Sequence, residues 1–131
     1  MDNNDLFQAQ ADLVVLHQGR KVLDPVSYRV LRALSTTSSI QDAVNISGVP
    51  YRTAWEYIRN SSHALGQEIV KGRSGGAGGG ETRLTGAGKA VLELYAQARQ
   101  EHLSWLESLN RHIERDWATL AVSVEGPLPV A

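Results

Sequence analysis

Arg52, Thr53, Glu56, Arg59 and Asn60 fall on one polar face when residues 50–65 are wound as a helix, and Ala54, Trp55 and Ile58 fall on the other. Side chains of these types can read nucleic-acid bases. Arg pairs bidentately with guanine, Glu accepts from cytosine, and Thr can meet a thymine methyl. Tyr51 can reach a phosphate through its hydroxyl. A solvated surface helix offers a similar face, so the face alone leaves both readings open. Trp55, spaced with Ala54 and Ile58, reads as an inward anchor.

Catalytic chemistry finds little support. His17, His63, His102 and His112 fall in separate segments without metal-ligand spacing. No serine sits in a nucleophile-elbow motif. The acids of the last helix read as a solvated surface. The expectation is a non-enzyme without cofactor or metal.

The segments around the polar face give it context. Ser39 precedes a short periodic stretch with Ile40, Ala43 and Val44, and Gly48 breaks it. Pro50 then sits in the first turn of the next helix, which Gly66 ends. Residues 67–71 and 82–84 are β-like. The intervening GRSGGAGGGE has six glycines in ten residues and reads as a hairpin with a long tip. Helix, tight turn, helix, hairpin is the order of a winged helix-turn-helix, whose second helix enters the major groove. Arg73, Ser74 and Arg83 would then lie at phosphates from the wing. Two other readings of the glycine run are a plain flexible hairpin and a phosphate cradle. The cradle lacks the Walker ending and the helix that should open at its last glycine.

Earlier in the chain, an apolar run at 13–16 and Lys21-Val22-Leu23 flank a turn and read as two short strands. Asp24 caps a helix over 25–36 with Pro25 at its first position. Thr85 caps a last helix over about 86–120. Leu92, Tyr95, Leu103, Leu106, Leu109, Ile113, Trp117 and Leu120 recur there mostly at steps of three and four. Such a helix is about 50 Å long. A small domain cannot cover all of its stripe, so Leu92, Tyr95, Leu103, Leu106, Leu109, Ile113 and Trp117 are predicted to face a second copy.

The 131 residues contain no cysteine, which excludes disulfides and cysteine-based metal sites. The net charge is −1, but it is unevenly spread. Residues 49–89 hold six basic and three acidic residues, and residues 90–131 hold three basic and six acidic. The positive excess therefore lies on the second helix of the motif and the hairpin. The polar start MDNNDLFQAQ has no signal pattern, and no apolar run approaches the roughly 18 residues of a membrane span. A cytoplasmic protein without membrane partners is expected.

The run SIQDAVNISGVPYRTAWEYI, followed by EIVKGRSGGAGGGETRLTGAGKAVLELY, resembles the N-terminal domain of the ModE-type molybdate-responsive regulators. Tyr51, Arg52, Ala54 and Trp55 fall on that family's Tyr-Lys-x-Ala-Trp signature. Ser74 to Gly80 fall on its glycine-rich wing, and Leu84, Thr85 and Gly88 on its Leu-Thr-x-x-Gly helix start. The likeness covers roughly residues 13–106. It implies a mainly α fold with a small β wing that binds operator DNA as a dimer. Four positions depart from the pattern. Arg52 replaces Lys, Pro50 replaces the capping Ser, and Ala77 removes a cation at the wing tip. Ser61 stands where a large apolar residue is usual, which thins the local core. Longer members carry molybdate-binding barrels. The chain stops soon after the long helix, so molybdate binding is not expected.

The reading is thus an arm with a hairpin at 1–24, a winged helix-turn-helix at 25–88, a dimerisation helix at 89–120 and a loose tail at 121–131. The partners expected are double-stranded operator DNA, contacted by Ser39, Tyr51, Arg52, Thr53, Glu56, Arg59, Asn60, Arg73, Ser74 and Arg83, and a second copy. The alternative is a helical dimer that binds protein and modulates a full-length regulator.

Overall fold

The computed structural model describes residues 7–73 and 80–122. The tip of the glycine-rich loop with Ser74 and Ala77, the first residues of the arm, and the tail from 123 onward lie outside the described residues. The element order is β1 (Val15–His17), β2 (Arg20–Leu23), α1 (Pro25–Ser35), α2 (Ile40–Ser47), α3 (Tyr51–Leu65), β3 (Val70–Arg73), β4 (Glu81–Leu84) and α4 (Gly86–Val122). The protein is mainly helical, with two separate two-stranded antiparallel sheets, β1–β2 and β3–β4.

Local chemistry sets the helix ends. Asp24 caps α1: its carboxylate accepts from the Val26 and Ser27 amides at 3.0 and 2.8 Å, and Ser27 Oγ accepts from the Asp24 amide. Burial pushes the Asp24 carboxyl up. The bond from Lys21, the bonds from Ser27 and the Lys21 charge outweigh it and hold the group below the usual 3.8. Ser39 caps α2 through the Asp42 amide. Gly48 ends α2 at φ 73°, a left-handed conformation that a side chain disfavours. Pro50 is the cap of α3, one position before the helix, and supplies no side-chain bond. Gly66 ends α3 in the same left-handed way as Gly48.

The residues form two compact bodies, one of residues 12–99 and one of residues 7–11 with 100–122. Core burial in the first explains its extent. Leu23, Val30, Leu31, Leu34, Ile69 and Tyr95 are its largest fully enclosed side chains. The β1–β2 hairpin is therefore part of this body, through Val22 and Leu23, and not a separate arm. His17 fastens it further by donating from Nδ1 to the Ala64 carbonyl at 2.9 Å.

The first part of α4 is core as well. Tyr95, 2% exposed, stacks on Tyr28 at 4.7 Å and donates to the Leu13 carbonyl at 2.8 Å. Burial, with the charge of Asp24, pushes its phenol above 10. Leu92 packs against the same cluster. The expectation that Tyr95 faces a second copy is thus corrected, because the chain's own core takes its side chain, while Leu92 lies half-buried against that core. The boundary expected near residue 89 falls at Arg99 for the same reason.

Ser61, expected to thin the core, is buried and donates to the Val22 carbonyl at 2.5 Å. A hydroxyl that binds α3 to β2 replaces apolar volume there.

Candidate nucleic-acid interface

α2 and α3 are joined by Gly48, Val49 and Pro50, with Val49 buried and Ala43 and Ala54 fully enclosed. Small residues at these points let the two helices pack closely. Ala54, Ile58, Ser61, Ser62 and Ala64 face inward along α3. That fixes the rotation of the helix and leaves Tyr51, Arg52, Glu56, Arg59 and Asn60 exposed, with Thr53 half-buried. Tyr51 lies edge-on to Trp55 at 6.4 Å. Trp55 is half-buried against the core rather than fully inside. It borders a 510 Å³ cleft together with Arg59, His63, Gln67 and Glu68. Ser39 is half-buried and its hydroxyl is engaged in capping.

The first strand of the hairpin begins three residues later than its sequence pattern suggested. Its register pairs Val70 with Leu84, Lys71 with Arg83, Gly72 with Thr82 and Arg73 with Glu81. Thr82 and Leu84 are buried, and Lys71 and Arg83 are exposed. The Thr82 amide donates to the Ser38 carbonyl at 2.8 Å, which ties β4 to the start of α2. The Thr85 hydroxyl donates to the Glu68 carbonyl at 2.7 Å and accepts from the Gly88 amide at 3.0 Å. Thr85 thus closes the hairpin base and starts α4 together.

Lys71, which the sequence reading passed over, stands opposite Arg83 in the ladder. Like charges directly opposed across strands are unfavourable. Arg83 is partly neutralised by an ion pair with Glu81. Among the described residues, Arg52, Glu56, Arg59 and Lys71 make no ion pair. A strand pattern alone could have marked Lys71 as exposed, but only the register shows its opposition to Arg83.

Among the described residues, no group of three or more His, Asp or Glu side chains is placed to hold a metal. His17 and His63, distant in sequence, line one polar cavity at the end of α3 with Gln18 and Arg20. No helix among the described residues is long and apolar enough to cross a membrane.

The architecture so far is that of a small helical protein with an exposed polar helix face and a cationic hairpin. No family model matches the chain. Individual relatives do. The chain is 35% identical over 90 residues to the transcriptional regulator ModE of Yersinia pestis, which covers 68% of the chain and 34% of that protein. It is 26% identical over 124 residues to the molybdenum transport protein ModE of Herbaspirillum seropedicae, covering 95% of the chain and 43% of that protein. It is 29% identical over 98 residues to the DNA-binding transcriptional dual regulator ModE of Escherichia coli K12, covering 72% and 37%. Over most of its length the chain is thus similar to the ModE-type regulators. It spans between a third and under a half of the length of these relatives.

Proposed function

We propose that the chain is a winged helix-turn-helix regulator of transcription that binds double-stranded DNA as a homodimer. In this reading α3 lies in the major groove. Arg52, Thr53, Glu56, Arg59 and Asn60 face base edges and phosphates there, and Tyr51 a phosphate. The glycine-rich wing at 72–81 follows the backbone or minor groove, with Arg73, Ser74 and Arg83 at phosphates. Lys71 joins them, and Ser39 contributes at the start of α2.

The observation that carries the reading is the group of charges without ion-pair partners among the described residues, Arg52, Arg59 and Lys71, on elements whose opposite faces are locked into one core. Solvated cations occur on any surface. Here they coincide with a helix-turn-helix, a like-charge cross-strand pair, and relatives named as transcriptional regulators.

The test is selection of a preferred duplex from a random library, followed by binding at several salt concentrations. The expected result is tighter binding to the selected duplex than to a scrambled one, with affinity falling steeply as salt rises. Equal weak binding to both duplexes would instead favour the protein-interaction module.

A further inference from the structure

The 510 Å³ cleft beside Trp55 lies between α3 and the start of β3, within the body of residues 12–99. Small-molecule sites commonly measure about 300–1,000 Å³. Trp55, then Arg59, then Ser62 and His63 follow one another along α3 at steps of three or four residues, so one stripe of the helix supplies one wall. Ile58, which is buried, and Trp55 and Val70, which are half-buried, give the cleft its apolar surface.

The polar groups of that wall are donors short of acceptors. Ser62 is only 8% exposed. Its hydroxyl oxygen accepts from the Ile69 amide at 3.2 Å, and among the described residues its own proton finds no acceptor. A buried hydroxyl that receives a bond and gives none lacks half of its ordinary pairing. Arg59 and His63, on either side of it, make no side-chain hydrogen bond or ion pair among the described residues. Glu68 is the one acid that borders the cleft, and it pairs with neither of them.

These groups select a kind of occupant. An indole next to a guanidinium suits a flat ring bearing an acceptor. A carboxylate fits the fork of Arg59 and has lone pairs left for Ser62 and His63. A bare inorganic anion would leave the apolar surface wet, and a neutral arene would leave the donors unmet.

We propose that this cleft binds a planar aromatic acid, and that the bound acid competes with DNA for Arg59, so that a small molecule controls the reading of DNA. The competition rests on the DNA-binding reading above, whereas the binding of the acid does not.

The test titrates the full, isotope-labelled chain with naphthoate, with its neutral amide naphthamide, and with inorganic phosphate, while nuclear magnetic resonance follows the backbone amides and the Trp55 indole N–H. Naphthoate is expected to shift the Trp55 indole and the amides of α3 and early β3 saturably. Naphthamide should bind about tenfold more weakly, and phosphate should leave these signals in place. His63→Ala and Ser62→Ala should each weaken naphthoate about fivefold. Ser62→Ala also takes the acceptor from the Ile69 amide, so His63→Ala is the variant that leaves the internal bonds of α3 and β3 intact. Saturating naphthoate should weaken binding to the selected duplex, and His63→Ala should need more of it for the same effect. No saturable shift, equal binding of acid and amide, or an equal response to phosphate would overturn the site. Shifts centred on His17 and Arg20 would place the acid in the other cavity that His63 borders and overturn it as well. A filled cleft with unchanged affinity for the duplex would overturn the competition. If the protein prefers no duplex, the DNA-binding reading fails and the competition with it, and the titration alone still decides the site.

Discussion

Arg52 and Lys71 differ in what they can recognise. Arg52 opens the exposed face of α3 and carries a planar fork that fits two acceptors of one guanine. Lys71 is a point charge on a strand, suited to a phosphate and indifferent to sequence. Arg52→Ala is therefore expected to cost on the order of 1–3 kcal/mol on a selected duplex and to relax preference at one position per half-site. Lys71→Ala should weaken binding to selected and scrambled duplexes alike and lower the salt slope by about one per subunit. Gel shifts on both duplexes at two salt concentrations separate the two effects. If both variants bind like wild type, these faces are merely solvated. Ser61 provides the control. Ser61→Ala leaves the buried Val22 carbonyl without its donor and should lower stability by about 1–3 kcal/mol in urea unfolding. The DNA preference of the folded fraction should be unchanged.

At the scale of elements, the start of α4 is set by a close backbone approach. A Cβ on Gly88 would lie 2.1 Å from the Ile69 carbonyl oxygen and 3.3 Å from Leu84 Cδ2. A Cβ on Gly86 meets nothing within 4 Å. Gly88→Ala must push α4 off the hairpin base and should destabilise by on the order of 1–3 kcal/mol or more. Gly86→Ala should be neutral or slightly stabilising. Thermal unfolding of the pair tests the difference. α1 gives an element its own pH dependence. The Asp24 carboxyl is held below its unfolded value, so its contribution is present above about pH 4 and is lost as pH falls through the folded value. Asp24→Asn keeps a capping oxygen but cannot titrate. Its stability should therefore fall less steeply in acid than the wild type's, as urea midpoints against pH would show.

The same elements show what could be read from the sequence. Asp24-Pro25, Ser39, Gly48 and Gly66 mark helix ends through bonds and torsions within a few residues, so they are legible locally. The first strand of the second hairpin starts at Val70 rather than Gln67 because its register depends on the burial of Leu84 and Thr82. Tyr95 and Leu106 follow one helical period, and period alone cannot tell a chain's own core from a shared face. The seat of residues 7–11 on α4 leaves no pattern at all, because side chains of the helix hold their backbone. Trp55 reads as inward and is half-buried, because spacing gives direction but not depth.

For the whole molecule, the question is whether the distal stripe of α4 joins two copies. In the proposed reading one α3 meets only a few base pairs, whereas two held together would engage half-sites one helical turn apart, about 34–36 Å centre to centre. The second binding event then becomes intramolecular, and affinity can rise by about 10²–10⁴ without any new contact. Leu106 and Ile113 lie on the stripe and away in sequence from the elements proposed to face DNA. Replacing both with Glu should break self-association in sedimentation experiments while the amides of α3 stay protected. Binding to a palindromic duplex should fall by about that avidity factor, and binding to a single half-site should remain close to wild type. The two duplexes together make the outcome decisive. Equal losses on palindrome and half-site would mean that the substitutions damaged the DNA-binding body. No loss on either, with the protein already monomeric, would mean that one copy suffices.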